Sequence, residues 1–137
     1  MPTKDAYNRT GGEAVSLHPA AITATNVVTP GADLQLYDSA LVYCQVGAMT
    51  GSEAIHLEIQ DGSVGGTLDA SYTAVVAGEL LGGTIGTLTG TTDASQLVVR
   101  GYIGDARYLR VAVTSLTGTV ECNAFIVPGD PRSGSTR

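Results

Sequence analysis

Turn-forming residues interrupt this chain so often that no long helix has room to form between them. Clusters such as Thr29-Pro-Gly31, Asp61-Gly-Ser-Val-Gly-Gly66 and Pro128-Gly-Asp-Pro131 separate short segments that are rich in Val and Thr. Several of these segments alternate apolar and polar residues, as residues 52–60 do, which is the period of a half-buried strand. We therefore predict an all-β fold of about eight or nine short strands, arranged as a single β-sandwich or jelly-roll-like domain.

Chain length and the placement of polar segments predict one domain with an extension at each end. A chain of 137 residues is long enough for one self-sufficient core. Residues 1–12 are predicted to form an extended N-terminal arm, residues 13–131 the β-sandwich, and residues 132–137 a polar C-terminal tail. A polar arm has little to hold it on its own domain, so we expect residues 1–12 to pack mainly on another chain.

The stretch 95–114 carries the strongest local pattern in the chain. Gly104-Asp-Ala106 is a turn signal that lies between two segments of alternating hydrophobicity. We predict an antiparallel hairpin of residues 95–103 and 107–114, in which a three-residue loop pairs Tyr102 with Tyr108 and Arg100 with Arg110. A two-residue loop would shift the register and leave no clean apolar face.

This register gives the predicted hairpin one apolar and one polar face. The buried face is predicted to hold Leu97, Val99, Leu109, Val111 and Val113, and the opposite face Arg100, Tyr102, Tyr108 and Arg110. Arg and Tyr are enriched at the centres of protein interfaces, so the polar face is a candidate docking surface. The alternative is an ordinary solvated strand face, and the residues alone do not separate the two.

The basic residues collect at the two ends of the chain and in the predicted hairpin. Between Arg9 and Arg100 there is no Lys or Arg, whereas the same span holds nine acids. An acidic body argues against nucleic acid as a partner, because phosphate binding requires clustered cations. We expect the terminal residues to meet acidic surface on a partner, and the candidate interface therefore also includes Lys4, Tyr7, Arg9 and Arg132.

No residue pattern indicates chemistry. His56 lies beside Glu58 on the outer face of a predicted strand and His18 precedes Pro19, with no nucleophile or orienting acid converging on either. Cys44 and Cys122 are more typical of buried thiols than of a disulfide or metal site. We therefore expect no enzymatic activity, no catalytic residues, no metal and no cofactor. Because the chain has neither an apolar run near 18 residues nor a signal-peptide core, we also expect no membrane partner.

Four segments resemble small β-proteins encoded among the head genes of tailed bacteriophages. They are Tyr102-Ile-Gly-Asp-Ala-Arg-Tyr-Leu-Arg-Val111, Phe125-Ile-Val-Pro-Gly-Asp-Pro-Arg132, Ala32-Asp-Leu-Gln-Leu-Tyr-Asp-Ser-Ala-Leu-Val-Tyr43 and Leu57-Glu-Ile-Gln-Asp-Gly-Ser63. Some members of that group are capsid decoration, or cement, proteins. The resemblance implies a virion structural protein on the capsid exterior, assembled in the host cytoplasm, whose partners are the major capsid protein and further copies of itself, with a trimer the first expectation.

Two other functions stay open on the sequence alone. Within a virion, the chain could be a head fibre or a neck or tail component, which its copy number per particle would reveal. Outside that class, it could be a carbohydrate-binding adhesion β-sandwich. Sugar stacking uses exposed aromatic side chains, usually Trp, and this chain has no Trp and a single Phe.

Overall fold

The computed structural model describes residues 14–25, 31–66 and 69–131, and these residues form ten strands and two short 3-10 turns. The turns lie at Asp69–Ser71 and Ala77–Glu79. The strands are β1 Ala14–Ile22, β2 Ala32–Asp33, β3 Tyr37–Val46, β4 Ala54–Gly62, β5 Thr73–Ala74, β6 Leu80–Leu81, β7 Gly86–Thr89, β8 Leu97–Tyr102, β9 Tyr108–Thr117 and β10 Val120–Pro131. The predicted all-β fold class is confirmed.

The strands form two antiparallel sheets that pack face to face. Sheet A has the order β1-β10-β3-β8-β6, and sheet B has the order β2-β9-β4-β5, with β7 also pairing with β4. The chain passes from one sheet to the other between most of its longer strands: β1, β3, β8 and β10 lie in sheet A, and β4 and β9 lie in sheet B. This alternation is the strand order of a jelly roll, which matches the predicted architecture.

The core is a single apolar cluster between the two sheets. Alternate residues of each long strand point inward, because successive side chains of a strand project to opposite faces. Strand β3 contributes Ala40, Val42, Cys44 and Val46, strand β4 contributes Ile55, Leu57 and Ile59, and strand β10 contributes Val120, Cys122, Ala124 and Ile126. Full burial of an aliphatic side chain of this size stabilises the fold by about 1.5–3 kcal/mol. The core therefore fixes which face of each sheet is left outside.

The predicted hairpin of residues 95–103 and 107–114 is wrong. Strand β8 pairs with β3 and β6 in sheet A, whereas β9 pairs with β2 and β4 in sheet B. Tyr102 lies opposite Ala40, and Tyr108 lies opposite Gly62. The five residues between the strands, 103–107, form an arch that carries the chain from one sheet to the other. A turn signal shows that the chain changes direction, but it does not select the strand with which the next segment pairs.

The burial predicted for the two faces of the hairpin is therefore correct for only some of their residues. Leu109, Val111 and Val113 are buried as predicted. Leu97 and Val99 are exposed, not buried, whereas Tyr102 and Arg110 are buried although they were predicted on the open face. In β8 the inward residues are Val98, Arg100 and Tyr102, which is the opposite parity to the one that a hairpin with β9 would require.

The predicted arm of residues 1–12 and tail of residues 132–137 lie outside the described residues. The described part of the predicted domain 13–131 forms the two-sheet sandwich. No helix within the described ranges is long and apolar enough to cross a membrane.

Candidate interaction surface

The residue types that carry chemistry do not converge among the described residues. No group of three or more His, Cys, Asp or Glu side chains in this part of the chain could hold a metal ion. The ring Nδ1 of His56 lies 2.8 Å from the Thr87 hydroxyl on the neighbouring strand β7. That contact ties strands β4 and β7 together.

Both cysteines are free thiols on the inner face of sheet A. They lie on the neighbouring strands β3 and β10, where Cys44 is opposite Ala124 and Cys122 is opposite Val46. The two thiols are therefore diagonal neighbours, offset by one inward pair. Burial raises the pKa of Cys44, with a smaller contribution from Cys122, and it raises the pKa of Cys122 to about 11. Both side chains serve as small apolar core residues.

The predicted interface residues are not brought together in the structure. Lys4, Tyr7, Arg9 and Arg132 fall outside the described residues. Arg100 projects to the core side of β8 beneath the β6 turn, where its Nη1 donates to the Val99 carbonyl oxygen at 2.9 Å. Tyr102, Tyr108 and Arg110 lie in three different environments, so the predicted polar face does not exist as one surface.

Tyr102 locks the arch between the two sheets. Its hydroxyl donates to Asp61 Oδ2 of strand β4 at 2.8 Å and accepts the Ala106 backbone N–H at 3.1 Å. Burial of the ring raises the pKa of the phenol, and donation to Asp61 raises it further. Gly104 is required beneath this hydroxyl, because a Cβ at that position would lie 2.5 Å from it. This Tyr side chain therefore has an internal structural role.

Arg110 is buried on the outer side of sheet B, with 1% of its surface exposed. Its guanidinium lies 4.0 Å from the centroid of the Tyr72 ring, and its Nε donates to Gln60 Oε1 at 2.9 Å. The Tyr72 hydroxyl accepts the Gly31 N–H and donates to the Gly66 carbonyl, so the covering ring is itself held in place. The sequence contains no local signal for this burial, because Leu109-Arg-Val-Ala-Val113 alternates as a half-buried strand does, and the covering Tyr72 ring comes from a distant part of the chain.

Tyr108 lies at the half-exposed edge of sheet B beside an ion pair. Arg107 donates to both carboxylate oxygens of Asp33, at 3.0 and 2.8 Å, and its guanidinium lies 5.0 Å from the centroid of the Tyr108 ring. The hydrogen bond from Arg107 holds the pKa of Asp33 below its ordinary value. This pair joins β2 to the arch and leaves the Tyr108 ring partly open to solvent.

An apolar surface that sequence reasoning did not find lies on the outer side of the other sheet. Outward-facing residues of β10, β3 and β8 lie side by side in cross-strand rows. We call this surface the outer apolar face and define it by Leu41, Tyr43, Leu97, Val99, Phe125 and Val127. Five of the six are large aliphatic or aromatic side chains without a polar group, and Leu97 and Val99 are 56% and 39% exposed. Its rows hold no charged side chain, and the row that contains Leu97 also holds the uncharged polar residues Gln45 and Asn123.

An aromatic pair lies at the centre of the outer apolar face. Tyr43 and Phe125 are directly opposite each other on β3 and β10, and their rings stack with centroids 4.8 Å apart at an interplanar angle of 9°. With strands about 4.8 Å apart and outward residues about 6.7 Å apart along each strand, the six residues of the face cover roughly 200 Å². The face is therefore a small apolar patch centred on the stacked pair.

An apolar hollow of about 290 Å³ opens at one end of this face. It forms where Gly101 lacks a side chain between Leu81 of β6 and Leu41 of β3. Ile103 and Val127 complete its apolar lining. Asp130 lies at the rim, where its carboxylate accepts a hydrogen bond from the Ser39 hydroxyl at 2.8 Å. The hollow can accept an apolar side chain that has a positive or hydrogen-bonding group next to it.

Comparisons with known proteins identify no family for this chain. No protein-family model matches the chain, and no curated protein sequence matches it. Among solved structures, the crystal structure of the SPBc2 prophage-derived protein YomS is similar over 85% of this chain and 93% of that chain, with 11% sequence identity and a TM-score of 0.43. A TM-score at that level assigns neither fold nor function, so the jelly-roll assignment rests on the strand order itself.

Proposed function

We propose that this chain is a structural protein of a tailed-bacteriophage head, of the decoration type, which binds the outer surface of the major capsid protein lattice and stabilises the shell. The observation that carries the proposal is the outer apolar face on sheet A. The sequence resemblance to phage head proteins supplies the identity of the partner. The jelly-roll fold is compatible with this role, but by itself it carries no function.

The outer apolar face differs from the rest of the surface in charge. The described residues include eleven acids and three arginines, yet the cross-strand rows of this face contain neither. An uncharged apolar patch within an acidic surface is typical of a protein-binding site, since the core of an interface is depleted in charged residues. The acids around it keep the free protein soluble and discourage non-specific association.

The size of the face fits binding to a repeated lattice. Stable one-to-one interfaces bury about 800 Å² on each partner, and roughly 200 Å² is well below that. A contact of this size is weak when it acts singly. On a shell with many identical sites, copies that also contact one another bind together, and the combined affinity exceeds that of each single contact.

The structure gives the carbohydrate-binding alternative no specific support. The two aromatic rings on the outer apolar face stack on each other, so each already uses one of its faces. Tyr72 and Tyr102 are buried. We still expect no enzymatic activity. The described residues show only that no metal-binding cluster forms among them.

Co-sedimentation with phage heads that lack the protein tests the proposal. We expect the parent chain to bind in hundreds of copies per head, and Val99→Glu to weaken binding at least tenfold because it places a charge in the outer apolar face. Val64→Glu is the matched control, since Val64 is also an exposed valine, 60% accessible, on the loop that follows β4 of the other sheet. Binding of both variants at parental strength would refute the assignment of this face, and failure of the parent chain to bind would refute the decoration role. A count of five, six or twelve per particle would indicate a vertex or neck protein.

A further inference from the structure

Strand β8 has an open edge along its first half. Strand β6 pairs only through Leu80 with Tyr102 and Leu81 with Gly101, and no other described strand continues beside residues 97–99. The backbone groups at this edge can be assigned from two hydrogen bonds. The Gln96 carbonyl accepts from Val46 of β3, and the Ile103 N–H donates to Glu79 on the β6 side. Because backbone groups alternate along an antiparallel strand, Leu97 and Val99 direct their N–H and C=O groups to the open side.

Only one contact in the described structure covers these groups. Arg100 Nη1 donates to the Val99 carbonyl oxygen at 2.9 Å, in the place that a strand N–H would take. Leu97 and Val99 also expose apolar side chains at this edge. An unpaired apolar strand edge is a template for another extended segment, which binds through the main chain and places alternate side chains in neighbouring pockets. The hollow beside Gly101 lies next to this edge, with Leu81 at its wall.

Charge restricts which part of a second copy can bind here. The described body carries a net charge of minus eight from eleven acids and three arginines, so two bodies repel each other. Four of the seven basic residues of the chain lie in its terminal segments, at Lys4, Arg9, Arg132 and Arg137. Residues 1–13 carry two cations and two acids, and residues 132–137 carry two cations and no acid, so a contact between a terminal segment and the acidic body avoids the repulsion between two bodies.

Residues 1–13 combine the two properties that the hollow requires. Tyr7 supplies an aromatic ring with a polar tip, and Lys4 and Arg9 lie two or three residues from it, with charges that oppose that of Asp130 at the rim. Asp5 and Glu13 bring the side-chain charge of the whole segment to zero, so the attraction is local to the two cations. The tail 132–137, Arg-Ser-Gly-Ser-Thr-Arg, is basic but contains no apolar side chain. The N-terminal segment therefore fits the hollow better than the tail does.

The position and direction of β1 allow this segment to reach a neighbour. Ala14, the first residue of β1, lies opposite Ile126, at the same end of sheet A as the hollow. Followed toward the N-terminus, β1 runs out past that end of the sheet. To reach the open edge of β8 in its own copy, the segment would have to turn and cross β10, β3 and β8. Thirteen extended residues span up to roughly 45 Å, which is enough to cross to an adjacent copy.

We propose that residues 1–13 of a second copy bind along the open edge of β8, with the Tyr7 side chain in the hollow beside Gly101 and Lys4 or Arg9 near Asp130. The segment displaces the Arg100 contact from the Val99 carbonyl oxygen and adds a strand to sheet A. This proposal rests on the proposed function in one respect only: both require copies of the chain to associate with one another.

Disulfide trapping with the full-length chain tests the occupant directly. One preparation carries Tyr7→Cys and a second carries Leu81→Cys, while the native thiols Cys44 and Cys122 stay buried. We expect the mixture to form disulfide-linked heterodimers under mild oxidation. A Val64→Cys partner, which places an equally exposed thiol on the other sheet, should form at least tenfold fewer. Absence of trapping, or equal trapping with Val64→Cys, overturns the proposal.

A chain that carries both Tyr7→Cys and Leu81→Cys distinguishes a second copy from the same copy. Linkage between chains that rises with protein concentration supports the proposal. A monomeric intrachain disulfide that forms at the same rate at all concentrations shows that the segment binds its own domain, which overturns it. These results come from the purified protein alone, so they are separate from the outcome of the head-binding experiment.

Sedimentation equilibrium gives an independent measure without added cysteines. We expect Leu81→Asp to weaken self-association at least tenfold, because it places a carboxylate in the wall of the hollow beside Asp130. Val64→Asp should leave it within twofold of the parent. Raising salt from 50 to 500 mM should also weaken it, since opposite charges make part of the contact. Self-association that is insensitive to Leu81→Asp would overturn the proposed site.

Discussion

The hydroxyl of Tyr102 lies 2.8 Å from the carboxylate of Asp61 and joins the two sheets of the sandwich. Tyr102 ends β8 in sheet A, and Asp61 lies near the end of β4 in sheet B. The same hydroxyl accepts the N–H of Ala106, within the arch that leads into β9. One side chain thus sets both the spacing of the sheets at this end and the path of the arch.

Tyr102→Phe should destabilise the protein by about 1–3 kcal/mol, because it leaves the Ala106 N–H without its acceptor and Asp61 without its donor. The ring and its packing are kept, so the expected loss comes from hydrogen bonding alone. Urea unfolding followed by circular dichroism measures it. Tyr43→Phe is the control, and a change as large in that variant would mean that the Tyr102 hydrogen bonds are not the cause.

The raised pKa of Tyr102 predicts a loss of stability in alkali. The unfolded phenol ionises near pH 10, whereas the folded phenol stays protonated to higher pH. The free energy of unfolding should therefore fall as pH rises above about 10, and the fall should end once the folded phenol also ionises. Because the two buried thiols contribute in the same direction, the informative quantity is the difference between the parent and Tyr102→Phe. Identical slopes for the two proteins between pH 9 and 11 would contradict this prediction.

Arg110→Met should cost about 2–4 kcal/mol of stability. The substitution removes the cation from the Tyr72 ring and leaves the partly buried Gln60 Oε1 without this donor. Arg107→Met is the control, since the Arg107 side chain is 44% exposed and exposed ion pairs contribute at most about 1 kcal/mol. Chemical denaturation measures the loss of stability in each variant. Equal losses in the two would show that the contacts of Arg110 with Tyr72 and Gln60 contribute little to stability.

The interaction between Asp33 and Arg107 should stabilise the fold only weakly. It should do so only at pH values at which the Asp33 carboxylate is ionised. A double-mutant cycle with Asp33→Asn and Arg107→Met should give about 0.2–1 kcal/mol at pH 7. The pKa of Asp33 is lowered in the folded state, so this stabilisation is present above the unfolded value near 3.9 and is lost as pH falls through the folded pKa. The same cycle at pH 2 should give no coupling, and a coupling independent of pH would rule out an ionic origin.

The two thiols should be unreactive in the native protein. Cys44 and Cys122 are buried, and burial raises the pKa of both, so the thiolate that reacts with alkylating reagents is scarce. Labelling with iodoacetamide at pH 8 should be at least tenfold slower in the native protein than in urea. Rapid native labelling of Cys44 would show that sheet A opens between β3 and β8.

The pattern of apolar and polar residues along the sequence predicted the fold class and part of the core. It failed to predict which strands pair, because paired strands are distant in the sequence. The alternation of Leu109, Val111 and Val113 identified an inward face, because alternation reports which residues share a side of one strand. It could not show that β8 and β9 belong to different sheets, since the Gly-Asp-Ala turn is compatible with a hairpin and with an arch. The predicted faces of the hairpin were partly wrong for the same reason: exposed Val99 and buried Val111 are the same residue type, and only the sheet order separates them.

The pairing of β1 with β10 places the first and last described strands next to each other in one sheet. Sheet A therefore cannot close until β10 has been synthesised, because β10 lies between β1 and β3. Residues 23–119 separate β1 from β10, which is the strand beside it in the sheet. Pairing over such a distance gives a high contact order, so we expect slow folding that depends on an intact β10.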